Sequence, residues 1–238
     1  MTGLRGIVVV TGTDTGVGKT IAAAAVAAAA GAGGLSVAYV KPAQTGLAPG
    51  EESDVDVVRR LGAPAATLVL ADYPDPLAPW TAARVSGKDP LELDDVVSSA
   101  RSLASEHDLV LVEGAGGLLV PMGPGGWTVA DLAVRLGVSA VMVVVRAGLG
   151  TLNHTALTVE ALARRGVPAH VVIGAWPAST ELVHRTNVVD LATVAWRLAG
   201  SVPDGAGLLS RAEFAARAPT WLGPELHGTF DPESWSPP

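Results

Sequence analysis

Lys19, Thr20, Lys41, Asp54 and Glu113 are the residues whose types could carry out phosphoryl chemistry, and the first two are flanked by the sequence such chemistry needs. The stretch Gly12-Thr13-Asp14-Thr15-Gly16-Val17-Gly18-Lys19-Thr20 follows a short apolar run, Ile7-Val8-Val9-Val10, and opens an Ala-rich segment beginning at Lys19-Thr20-Ile21. Four apolar residues are too few for a helix and read as a buried strand, whereas the alanines have the strongest helix propensity. In the order strand, glycine-rich loop, helix, backbone N–H groups turn into one concavity and the helix N-terminus adds positive potential for an anion. Lys19 would then reach the β- and γ-phosphates of a nucleotide, and the Thr20 hydroxyl would ligate Mg²⁺. The bland alternative is an ordinary strand-to-helix turn with a solvated lysine.

The loop departs from the usual P-loop in one respect. Five residues, rather than four, separate Gly12 from Gly18-Lys19-Thr20, which changes the side chains that face the phosphates.

Other reactive residues stand at strand ends. Ser36-Val37-Ala38-Tyr39-Val40 reads as a second strand, with Pro42 expected to stop its pairing and leave Lys41 at its carboxyl end. Ligands bind at that edge of an open parallel sheet. Glu113 directly follows the apolar run Leu109-Val110-Leu111-Val112 and precedes Gly114-Ala115-Gly116-Gly117. A carboxylate there suits the Mg²⁺ that Thr20 also touches; the alternative is a solvated strand-end acid. Asp54 is either a third metal ligand or a helix cap, a role it shares as a candidate with Ser53. Lys41 beside an already cationic loop is unfavourable unless an anion sits there, and two lysines could clamp a phosphoryl group in transit. A surface lysine is the competing reading.

Composition sets limits. The 238 residues suffice for one large α/β domain, and 49 % apolar with 16 % charged residues implies a substantial buried sheet. A net charge of −7 argues against a nucleic-acid surface. No apolar stretch reaches the roughly 18 residues of a membrane span, and no basic n-region precedes a cleavable apolar segment. The absence of cysteine excludes a thiolate nucleophile and cysteine-ligated metals. A soluble, cytoplasmic protein without nucleic-acid or membrane partners is expected.

Further strands are expected at 67–70, 140–145 and 170–173, and helices at 55–61, 93–105, 128–136, from an opening over 148–154 to about 165, and at 181–198. The run Tyr73-Pro74-Asp75-Pro76-Leu77-Ala78-Pro79 is expected to be a loop, and His154 a helix-start residue rather than a ligand. The alternation indicates a P-loop NTPase-type, mostly parallel sheet with helices on both faces, in a single domain over residues 1–222. Residues 223–238, rich in proline and polar groups, are expected to form a mobile tail.

In these residues the chain resembles the dethiobiotin synthetase family. The matching pieces are the long loop 12–20, Lys41-Pro42-Ala43-Gln44-Thr45-Gly46, Ser53-Asp54, Val112-Glu113-Gly114-Ala115-Gly116-Gly117 and Leu149-Gly150-Thr151-Leu152-Asn153-His154. The resemblance implies ATP- and Mg²⁺-dependent closure of a cyclic urea on 7,8-diaminopelargonic acid with CO₂, through a carbamate and a carbamic–phosphoric mixed anhydride. It implies catalytic roles for Lys19, Lys41 and Thr15, and ATP contacts from Gly16, Val17, Gly18, Lys19, Thr20, Ile21, Asp54, Glu113, Gly114, Ala115 and Gly116. Nucleotide contacts are also expected from Gly174, Ala175 and the loop Pro203-Asp204-Gly205. Thr15, Lys41 and Thr45 would lie by the reacting end of the substrate. Gly150, Thr151, Leu152 and Asn153 would hold its carboxylate across a homodimer interface. One departure bears on base selection: where family members often carry Asn-Asp, this chain has Gly174-Ala175-Trp176-Pro177. Two other readings compete, the first of which shares the loop variant. An amide ligase of the cobyrinic acid synthase type normally continues into a domain with a cysteine nucleophile. A partitioning-type switch ATPase usually has a lysine where Asp14 stands.

Overall fold

The computed structural model describes residues 3–193 and 197–232. Among these residues seven strands form one sheet: β1 (Gly6–Gly12), β2 (Val37–Thr45), β3 (Ala66–Tyr73), β4 (Leu109–Gly117), β5 (Val141–Val145), β6 (Ala169–Trp176) and β7 (Leu198–Pro203). Their order is β3-β2-β4-β1-β5-β6-β7, and every neighbouring pair is parallel. The eight α-helices among the described residues are α1 (Lys19–Ala32), α2 (Asp54–Leu61), α3 (Pro79–Ser86), α4 (Leu93–Ala104), α5 (Val129–Leu136), α6 (Thr151–Ala163), α7 (Leu182–Thr193) and α8 (Arg211–Trp221). This is the P-loop NTPase-type α/β fold.

Side chains alternate across a strand, so the inner strands feed two cores. Val8, Val10, Tyr39, Leu109 and Leu111 pack with α1, α2 and α8, while Val9, Val40, Val110, Val112 and Val143 pack with residues of α3 to α7. Alanines dominate α1 and are buried almost all round, as expected of a helix apolar on every face. Their small size lets the helix lie close to both the sheet and the flanking helices.

Several expectations are corrected. Pro42 does not end β2: pairing with β4 stops at Val40, but pairing with β3 continues to Thr45. Proline forbids only a ladder that needs its missing N–H. The strand expected at 67–70 extends over Ala66–Tyr73, and the proline-rich run gives way to α3 at Pro79, proline being suited to a first helical turn. The helix expected over 181–198 ends at Thr193 in the described residues, and Leu198 opens β7; residues 194–196 lie outside them. A strand containing Gly200 and Ser201 and a helix containing Pro219 both carry weak local signals, and both escaped sequence reading.

The tail expectation also changes. Residues 223–232 dock on the domain, with Leu226 and Phe230 buried and the Phe230 N–H donating to Leu222 O at 2.7 Å. Two apolar side chains anchor an otherwise polar segment. Residues 233–238 lie outside the described residues.

Candidate active site

The loop after β1 owes its shape to close backbone packing. Gly18, at φ 92°, caps α1, and a Cβ there would lie 2.5 Å from Gly174 O; a Cβ on Gly174 would in turn lie 2.0 Å from Val17 O. Thr13 N–H donates to Val144 O at 3.0 Å, tying the loop to β5. Lys19 is buried and folds back to donate from Nζ to Asp14 O at 2.9 Å. Burial pulls its pKa below the usual lysine value, and the nearby Lys41 charge adds to that despite the carboxylates around it.

The strand order brings Lys41, Asp54 and Glu113 together. β2 lies beside β4 in the sheet, with Val40 opposite Val112, so Lys41 and Glu113 emerge side by side on the α1 face. Ser53 caps α2 by accepting from Asp56 N–H at 3.2 Å, which settles the choice left open for that helix start and leaves the Asp54 carboxylate for the site. Lys41 Nζ lies 2.6 Å from Asp54 Oδ2 and 2.8 Å from Glu113 Oε1, with Lys41 and Glu113 only 4 % and 1 % exposed. Burial alone would lower the Lys41 pKa, but the charges of Glu113 and Asp54 outweigh it and hold the ammonium above its ordinary value. For Asp54 burial works upward, and Lys41 prevails to keep the carboxyl below the usual range.

Thr20 Oγ1 lies 3.0 Å from both Asp54 Oδ1 and Glu113 Oε1. A hydroxyl has one proton and can donate to only one of two carboxylates at a time. Two anionic oxygens converging on one hydroxyl form an all-oxygen donor set of the kind hard divalent cations take, so the residues present fit Mg²⁺.

These groups open on a cavity of about 700 Å³ lined by Thr15, Gly16, Gly18, Lys19, Thr20, Ile21, Lys41, Thr45, Asp54, Glu113, Ala115 and Gly116. The expected site residues of the first two strands and β4 thus share one cavity. Gly114 faces away, its Cα packed on Val129 of α5, and Val17 lies behind the loop. Gly174 also backs the loop, and neither it nor Ala175, Pro203, Asp204 or Gly205 lines the cavity; Asp204 N–H donates to Trp176 O at 2.8 Å, and Gly207 packs on Ile21. Gly150, Thr151, Leu152 and Asn153 do not line the cavity. Gly150, at φ 90°, caps α6, and the loop before it is held by Asn187, whose Nδ2 donates to Ala147 O and Gly148 O, both at 3.0 Å.

Part of the cavity wall carries no local sequence signal. Ala43, Gln44, Val57, Pro76, Leu77, Ala78, Pro79 and Val120 also line the cavity. The proline run was visible as a loop, but nothing local signalled that Gly46 (φ 67°) would meet it, Pro76 standing where a Cβ would need room. Among the described residues no helix is long and apolar enough to cross a membrane.

A family model described as an AAA domain matches residues 7–207. The ATP-dependent dethiobiotin synthetase BioD of Frankia casuarinae is 56 % identical over 225 residues, covering 94 % of each chain. That of Streptomyces avermitilis is 53 % identical over 232 residues, 97 % of each chain, and that of Rhodococcus jostii 55 % over 218 residues, 91 % of this chain and 94 % of the other. Among solved structures, apo McdA of Cyanthece superposes with a TM-score of 0.56 at 11 % identity, over 93 % of this chain and 97 % of that one. A plasmid partition protein of Borrelia burgdorferi gives 0.55 at 12 % identity, over 90 % and 95 %. At such low identity these two share the fold alone.

Proposed function

We infer the reaction from one premise: the chain belongs to the ATP-dependent dethiobiotin synthetase family. It is accordingly an ATP-dependent ligase of biotin synthesis that forms C–N bonds. The substrates we assign are 7,8-diaminopelargonic acid, CO₂ and ATP. One substrate amine adds to CO₂ to form a carbamate. A carbamate oxygen takes the γ-phosphoryl of ATP, giving ADP and a carbamic–phosphoric mixed anhydride. The second amine then attacks the carbamate carbon; a C–N bond forms, the C–O bond to phosphate breaks, and the ring closes with release of inorganic phosphate and a proton.

The chain's own residues fit positioning and charge neutralisation, which dominate phosphoryl transfer. The N–H groups of Gly16, Val17 and Gly18 would cradle the phosphates, and Lys19 would follow the group in transit. Lys41, charged and held at the cavity wall, would face the carbamate, with Thr15 and Thr45 at the same end. Thr20, Asp54 and Glu113 would hold Mg²⁺, whose charge when bound would offset that of the phosphates. The apolar wall of Pro76, Leu77, Ala78 and Pro79 suits the methylene chain of the substrate. Ala115 and Gly116 complete the nucleotide side, with Ile21, Ala175 and Pro203-Asp204-Gly205 toward the base.

The substrate carboxylate lies several methylenes from the amines, and the helix start at Gly150-Thr151-Leu152-Asn153 is built to receive an anion. Since that segment lies off the cavity, we assign it to a two-fold partner in a homodimer. Leu149, 90 % exposed, and Leu157, 58 % exposed, supply apolar surface beside it.

The observation that carries the reading is the meeting of Lys41, Thr20, Asp54 and Glu113 at the mouth of the glycine-rich loop. ATP consumption should require both diaminopelargonate and bicarbonate, with the cyclic urea identified by mass spectrometry. Turnover that persists at full rate without either substrate would exclude it.

A further inference from the structure

Glu113 is divided between two environments. Its Oε1 faces the cavity, where Lys41 donates to it at 2.8 Å and the Thr20 hydroxyl, shared with Asp54, lies 3.0 Å away. Its Oε2 points back into the α1 core, where the Tyr39 hydroxyl donates to it at 2.9 Å. Tyr39 is fully buried in the cluster that contains the alanines of α1 with Leu109 and Leu111. The register explains the meeting: Tyr39 pairs with Leu111 across β2 and β4, and alternation places Tyr39, Lys41 and Glu113 on one face. Diagonal neighbours on a sheet face are within reach of a long aromatic side chain. A phenol set among alanines and aliphatic side chains needs a partner, and here that partner is a carboxylate proposed to ligate metal.

We propose that Tyr39 is a positioning residue, holding the Glu113 carboxylate by Oε2 so that Oε1 is presented to Mg²⁺ beside Thr20 and Asp54. The inference rests on the assignment of Glu113 as a metal ligand. Lys41 alone would leave the carboxylate free to turn about its Cγ–Cδ bond. The second donor, from the opposite side, fixes the plane. Groups that orient a metal ligand in this way typically alter metal affinity by about 10- to 100-fold when removed.

Tyr39→Phe keeps the ring and removes the donor. Mn²⁺ binding to the ADP complex, followed by electron paramagnetic resonance, should weaken about 10-fold. The Mg²⁺ concentration for half-maximal rate should rise in parallel, with metal-free ADP affinity unchanged. Tyr73→Phe is the control, because Tyr73 is equally buried but donates to Asp89 O at 3.0 Å, away from the carboxylates; its metal affinity should match wild type. Adding Tyr39→Phe to Glu113→Gln should weaken Mn²⁺ binding no further, since Tyr39 acts through Glu113. If Glu113→Gln loses affinity and Tyr39→Phe does not, the positioning role is wrong and the metal assignment stands. If Glu113→Gln also binds as wild type, the metal assignment fails and the inference with it. Should Tyr39→Phe not fold, the two tyrosines of the chain allow the test on fluorotyrosine-labelled wild type. The Tyr39 fluorine resonance, assigned with Tyr73→Phe, should shift when Mg²⁺ joins the ADP complex; a stationary resonance overturns the proposal.

Discussion

Lys41 and Glu113 form a buried ion pair between adjacent strands, Nζ 2.8 Å from Oε1, and Asp54 closes on the same ammonium at 2.6 Å. One lysine therefore neutralises two carboxylates while lining the cavity in which a phosphoryl group would move. Its removal should be felt twice. Breaking a fully buried pair costs about 3–5 kcal/mol, and Lys41 and Glu113 are such a pair, with side chains 5 % and 1 % exposed. Lys41→Gln should lower the melting temperature of the metal-free protein, with Mg²⁺ restoring part of the loss. Turnover should fall by about 10² or more while nucleotide affinity stays nearly intact, because the loop supplies most phosphate contacts. Unchanged turnover in a destabilised variant would reduce Lys41 to a counter-ion for the carboxylates.

Base discrimination should be weak. The carboxyl end of β6 offers Gly174 and Ala175, neither with a side chain able to pair with a base edge, and Gly174 is committed to packing on Val17. A pocket built to hydrogen-bond a particular group can reject analogues by about 10⁴ or more. We expect kcat/KM for ATP, CTP and GTP to differ by far less, and a preference for ATP near that magnitude would show that another group reads the base.

The shared-site assignment is open to complementation. Asn153→Glu should raise the KM for diaminopelargonate and leave nucleotide binding alone, since the segment lies off the cavity. Mixed with Lys41→Gln, it should recover about one working site per heterodimer, by two-fold symmetry. Heterodimers shown to form yet devoid of recovered activity would mean that each subunit works alone.

His170, on β6, should make stability depend on pH. Burial pushes its pKa below the ordinary 6.5, the nearby Arg197 charge adding and Glu225 opposing. Its Nδ1 is 3.8 Å from Glu225 Oε1, too far for a hydrogen bond. Between the folded and unfolded values the unfolded chain binds more protons, so stability is whole above about pH 6.5 and declines as pH falls toward the folded value. His170→Gln should flatten the loss of melting temperature between about pH 7 and pH 5. Part should remain, because burial also lowers the His227 pKa. A variant with the wild-type slope would assign the dependence elsewhere.

The elements legible in the chain are those that local interactions encode. The apolar run before Gly12, the glycines at 16 and 18 and the alanines after Lys19 state a strand, a phosphate loop and a buried helix within one stretch, because backbone freedom and propensity act over neighbouring residues. Glu113 was legible in the same way, as an acid closing an apolar run. Tertiary structure alone decided the contacts among Lys41, Asp54 and Glu113, which arise because β2 crosses over to lie against β4 rather than against β1. Strand order is a non-local pairing, and no periodicity within a strand records its neighbour. The same holds for Tyr39, a core aromatic by pattern whose partner is 74 residues away, and for the proline loop that walls the cavity. Leu226 and Phe230 make the last case: two apolar residues in a polar run acquire meaning only where the packed domain offers them a place to be buried.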